Sequence, residues 1–200
     1  MNEMADSRDE ALAEPPEVQE RNLWLGVRVL AGVTVMFFLA FVFAYFYLRS
    51  LNNGNHGGRW RPPSVDPQQA YGAVIVGLFV LSAALFAYAD RAARSARSYL
   101  PAAGLALALG LAGCVVQGFE YTNLGFTPLQ GGYASVFLGW TLLFTVFALF
   151  ALYWLEIVFA TGLRHRAAEA YVPQGLDAAS FYWTLLVVLG VIAWVILYLL

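Results

Sequence analysis

Five stretches with almost no charge, each long enough to cross a bilayer, constrain this chain more than any motif in it. They are residues 23–48, 70–89, 99–116, 133–155 and 178–200. At about 1.5 Å of rise per residue, roughly 20 residues cross the ~30 Å of hydrocarbon in a membrane. A small soluble domain could not hide the 60% of residues that are apolar against only 12% that are charged. The expected fold is therefore all-α, a polytopic membrane bundle of five transmembrane helices, residues 23–200. Ahead of it, residues 1–22 carry seven acids, two arginines and Pro15-Pro16, and read as an acidic cytoplasmic tail. No basic n-region with a short apolar core precedes the first span, so that span is expected to stay as an anchor.

Every basic residue is an arginine. Seven of them (Arg8, Arg21, Arg91, Arg94, Arg97, Arg164 and Arg166) fall on the side of the N-terminus, against three (Arg49, Arg59 and Arg61) on the other. By the positive-inside rule the N-terminus is expected in the cytoplasm and Leu200 outside. The net charge of −2 and the scattered arginines form no basic stripe, which sets nucleic acid aside as a partner. Residues 50–69 hold Asn, Gly and Pro clusters and read as a structured outer loop.

The third span is rich in small residues at a spacing of four, Gly104, Ala108 and Ala112 on one face and Ala106, Gly110 and Cys114 on the next. Such spacing lets backbones approach closely in lipid, and places this helix at the centre of the bundle. The first and fourth spans are aromatic instead, with Phe37, Phe38, Phe41, Phe43, Phe137, Phe144, Phe147 and Phe150. Those surfaces suit lipid or a large partner subunit.

Haem or copper within the bundle would need histidines projecting from the spans. The only two, His56 and His165, lie in loops on opposite sides. Cys114 is the lone cysteine and reads as a small packing residue. Ionisable groups at membrane depth are candidates by default. Arg28 lies one turn inside the first span, where its stem can snorkel to the headgroups. Glu156 lies two turns before Arg164 near the cytoplasmic end of the fourth span and is expected to pair with an interfacial arginine. Glu120 follows Gln117 by one turn and precedes Tyr121, a polar cluster that reads as a local structural anchor. No series of acids or histidines continues across the bilayer from it.

The chain resembles subunit III of haem-copper oxidases in its short, five-helix bacterial form. The residues that carry the resemblance are Met36-Phe37-Phe38 leading to Ala44-Tyr45-Phe46, then Trp60-Arg61-Pro62-Pro63. They continue with Gln117-Gly118-Phe119-Glu120-Tyr121, Tyr133-Ala134-Ser135-Val136-Phe137 and Phe181-Tyr182-Trp183, in the family's order over residues 23–200. The resemblance implies a non-catalytic component of a cytochrome c oxidase, without a cofactor of its own. Haem and copper are expected in partner subunits I and II, with further small subunits or a supercomplex as additional partners, and phospholipid is expected between the helices. Trp60, Gln117, Glu120, Tyr121, Tyr133 and Trp183 become candidates for lipid or subunit contact. The implied setting is aerobic respiratory electron transport in a prokaryotic plasma membrane.

The chain also departs from the family pattern. Thr34 stands where members usually have a glutamate, Phe144 and Phe147 where they have two histidines, and Thr184 and Val187 where they have a histidine and an aspartate. The family's support of proton uptake is tied to those polar positions. Two other readings stand beside this one, an accessory subunit of a nitric oxide reductase and a free-standing transporter or lipid-handling protein. Transporters often carry internal repeats or helices broken at mid-membrane. Here there is no repeat, and the single proline within a span, Pro101, falls in a first helical turn, where it is tolerated.

Overall fold

A computed structural model describes residues 15–55, 60–62, 64–95, 97–164 and 175–200. His56, His165, Arg8, Arg59, Arg166 and Pro63 lie outside the described residues. Five long helices follow one another: α1 (Pro16–Asn55), α2 (Gln69–Arg94), α3 (Leu100–Asn123), α4 (Gly132–Arg164) and α5 (Leu176–Trp194), the last continued by a π turn at Val195–Leu199. All five are long and apolar enough to cross a membrane, and among the described residues there is no strand. At 40 residues α1 is about 60 Å long, twice the hydrocarbon thickness. It reaches back to Pro16, so the end of the acidic stretch continues the first helix. It also runs forward to Asn55, into the stretch read as loop.

Local chemistry sets the helix ends. Pro101 sits in the first turn of α3, where its missing N–H has no helical partner to lose. Gly175 opens α5 in the left-handed region at φ 89°, and the Asp177 carboxylate accepts from the Ala178 N–H at 2.7 Å. Between α3 and α4 a short 3₁₀ turn, Pro128–Gln130, is fixed by a capping box between Thr127 and Gln130.

The tightest pairing is α2 on α3. The buried stripe of α3 runs Ala103, Ala106, Leu107, Gly110, Gly113, Gln117 and Glu120, at helical spacings of three and four. Of the two small-residue faces read from the sequence, the one through Ala106 and Gly110 makes this contact, while Ala108 on the other is exposed. A Cβ on Gly113 would lie 2.8 Å from the Phe79 ring of α2, and one on Gly110 would lie 2.5 Å from Leu152 Cδ2 of α4 and 3.2 Å from Ser82 Oγ of α2, so a side chain at either position would force its neighbours to shift. At mid-bundle, Ser82 Oγ donates to the Ala106 carbonyl at 2.7 Å and accepts from Trp183 Nε1 at 3.1 Å, tying α2, α3 and α5. Thr34 Oγ1 spends its proton on the Leu30 carbonyl, which leaves the buried Tyr182 hydroxyl to donate to it at 3.0 Å and join α1 to α5.

Two expectations change here. The centre of the bundle is α5, which packs on α1, α2 and α4 and has the largest buried share of any span, whereas α3 leans on α2 and α4. A stripe of small residues marks a close pairwise approach, and one close neighbour does not make a helix central. The aromatic faces divide as well. Phe38, Phe137 and Phe144 are core residues, with Phe38 and Phe144 set edge-on to each other and Phe38 edge-on to Trp140. Only Phe37, Phe43 and Phe150 of that set lie open, together with Met36, Val146 and Tyr153.

Candidate functional site

The buried stripe of α3 ends in two polar side chains. Gln117 is 4% exposed and Glu120 1%. A polar group at this burial must be hydrogen-bonded to be tolerated, and a carboxyl most of all. Gln117 Nε2 donates to Glu120 Oε2 at 2.7 Å, and the Tyr198 hydroxyl donates to Glu120 Oε1. Each carboxyl oxygen of Glu120 thus has its own donor, one from the preceding turn of α3 and one from the far end of the last helix.

The π turn that presents Tyr198 also brings carbonyls that need partners, as helix C-termini do. Neighbouring segments supply them. Tyr133 Oη, at the start of α4, donates to the Leu197 carbonyl at 2.6 Å. Arg61 Nη1 donates to the Tyr198 carbonyl at 3.0 Å, and Gln69 Nε2 approaches the same oxygen at 3.4 Å. Arg61 is held in turn by an ion pair with Asp66 and stands 5.6 Å from the Tyr133 ring centroid. Trp60 closes the assembly, meeting Tyr45 and Tyr133 edge-on at 5.4 and 5.9 Å. All five helices contribute to this clamp, and α1 enters it through Tyr45.

Four of the six residues picked from the sequence therefore converge: Trp60, Gln117, Glu120 and Tyr133. Tyr121 turns away toward α4, where its hydroxyl pairs with Thr145 Oγ1 at 3.2 Å. Trp183 belongs to the mid-bundle Ser82 junction. Tyr198 was not among the sequence candidates. A tyrosine interrupting an otherwise aliphatic run, Val195-Ile196-Leu197 before it and Leu199-Leu200 after it, was the signal for it.

The remaining ionisable candidates are peripheral. Arg28 is exposed, its guanidinium 5.9 Å from the Trp24 ring centroid, in keeping with a snorkelling arginine. Glu156 and Arg164 are both exposed, and among the described residues they form no ion pair. At the end opposite the clamp, Arg94 pairs with Asp90 at 3.1 Å and reaches Asp177 of α5 at 3.6 Å. An open apolar groove of about 470 Å³ separates α1 from α4 there, lined by Leu23, Gly26, Leu30, Phe150, Trp154 and Ile157 among others. Among the described residues no three His, Cys, Asp or Glu side chains gather as a metal site.

Five apolar helices closed by a buried polar clamp define a membrane-embedded, multi-pass protein with a structural junction. The sequence model of the cytochrome c oxidase subunit III family matches residues 13–200, and the chain belongs to that family. It is 24% identical over 187 residues to cytochrome c oxidase subunit 3 of Formosania lacustris, covering 92% of this chain and 71% of the relative. Its identity to the subunit of Hippopotamus amphibius is 24% over 186 residues, covering 90% and 70%. With that of Pylaiella littoralis it is 28% over 169 residues, covering 82% and 61%. Membership of a family of oxidase subunits implies association with other oxidase subunits.

Proposed function

We propose that this chain is a non-catalytic component of a haem-copper terminal oxidase, packed beside the catalytic subunit I and stabilising it. The observation that carries the reading is the convergence of three family-like motifs, far apart in sequence, on one buried junction: Trp60, Gln117 with Glu120, and Tyr133. Such a junction sets helix positions and offers no reacting atoms. In this reading the electron-transfer chemistry, with its haem and copper, resides in subunits I and II. The open faces of α1 and α4, with Met36 at 71% and Phe43 at 69% exposure, suit a protein neighbour or lipid. The groove between them at the Arg94 end has the apolar lining for a phospholipid acyl chain, and beside it a polar recess with Arg21 and Arg28 as well as Glu17 and Glu20 could meet a zwitterionic headgroup. The arginine distribution favours a cytoplasmic N-terminus, and the prokaryotic plasma membrane is the setting that the resemblance to the short five-helix form implies.

The test is a pull-down of the tagged chain in mild detergent, with an absorption spectrum and mass spectrometry of what accompanies it. Stoichiometric haem-containing oxidase chains are the expected result. A colourless, homogeneous protein would overturn the proposal, and co-purification of a nitric oxide-reducing chain would redirect it.

A further inference from the structure

A second feature lies deeper in the bundle than the clamp. A cavity of about 40 Å³ sits between α2, α4 and α5 and touches α3 at Gln117. Its walls are mostly apolar, formed by side chains such as Ile75, Phe79, Phe144 and Val187. Two indoles interrupt them, Trp140 of α4 and Trp194 of α5. Trp140 is only 1% exposed, and the N–H groups of both indoles are buried without an acceptor among the described residues. The Trp194 nitrogen lies over Gly72, itself a cavity wall, at 2.7 Å from where a Cβ on that glycine would stand.

Buried donors without partners are rare in folded proteins, and two around one cavity call for an acceptor inside it. Acceptors line the same space. Gln117 Nε2 is committed to Glu120, which leaves its amide oxygen, and Thr141 Oγ1 gives its proton to the Phe137 carbonyl at 2.8 Å and meets the Tyr121 hydroxyl, which leaves one lone pair. An occupant facing two donors and two acceptors must both accept and donate. Its size is bounded too, because a water needs roughly 10–15 Å³ of such space, so this cavity holds about three or four at most. Drug-sized ligands and cofactors occupy several hundred Å³. No charged side chain lines the cavity to hold an ion.

We infer that this cavity is a hydration site, where ordered waters accept from the indoles of Trp140 and Trp194 and donate to Gln117 and Thr141. Through Gln117 the waters join the Glu120 clamp, so that a hydrogen-bonded chain runs from Tyr198 at the bundle end toward the membrane interior. The waters cross-link α3, α4 and α5, while the wall that α2 supplies through Ile75 and Phe79 is apolar.

The test is a density map of the assembled complex at a resolution where ordered waters are seen elsewhere in the membrane domain. Discrete peaks within hydrogen-bonding distance of both indole nitrogens are expected. No peak, a peak at only one nitrogen, or an elongated density continuous with lipid would overturn the inference. Ultraviolet resonance Raman spectra give a second readout, through the difference between wild type and Trp140→Phe. The component lost should have the band position of a hydrogen-bonded indole, and loss of a free-indole component counts against the site. Should Trp140→Phe fail to assemble, the wild-type map decides alone.

Discussion

The two ends of this bundle are built from opposite materials. At the Glu120 end, a carboxyl, an amide and two phenols are buried and bonded to one another or to the carbonyls of a π turn. At the Arg94 end, the inter-helix polar contact is an arginine 61% exposed, and α1 stands off from α4 across an open apolar groove. The contrast follows from where water reaches. A hydrogen bond in a low-dielectric interior is strong, and its loss strands the partner, whereas an ion pair at a wet surface gives back most of its energy to solvent. One end is therefore locked, while the other is free to adapt to whatever lies against it.

The comparison can be broken most decisively at Glu120. Glu120→Ala leaves both Gln117 and Tyr198 without their acceptor and should cost about 3 kcal/mol. It should reduce retention of the chain during detergent purification, with the haem spectrum of the complex unchanged. Tyr198→Phe leaves one carboxyl oxygen unserved and should cost about 2 kcal/mol, read as an earlier midpoint in an unfolding titration followed by circular dichroism. Tyr133→Phe removes one neutral hydrogen bond to the buried Leu197 carbonyl, and about 1 kcal/mol is expected in the same titration. At the other end, Arg94→Ala should shift the midpoint by no more than about 0.5 kcal/mol, and less at high salt. If Arg94→Ala cost as much as Glu120→Ala, the two ends would not differ in kind.

Much of this architecture could be read from residues alone. Span number and the all-α class follow from hydrophobic length, a property each segment carries by itself. The pairing of Gln117 with Glu120 was legible because both lie one turn apart on one helix. Their partner Tyr198 stands 78 positions away, and no local spacing reports a contact of that range. The centrality of α5 was hidden for a related reason. A helix apolar on all sides has no stripe to show which face meets protein and which meets lipid. The inward turn of Phe38, Phe137 and Phe144 was lost in the same way, since lipid and a protein core solvate a phenyl ring alike.

The clamp also orders events in the life of the chain. Arg61 leaves the ribosome early and Tyr198 late, 137 positions later, yet the guanidinium of one bonds the carbonyl of the other. While only the first four spans are in the membrane, Glu120, Arg61 and Tyr133 have no π turn to bind. A half-made molecule thus displays a carboxyl short of one donor and an arginine short of its carbonyl partner at one end of its bundle, the kind of feature by which membrane quality control can tell an unfinished protein from a finished one. Arrival of the last span withdraws that mark.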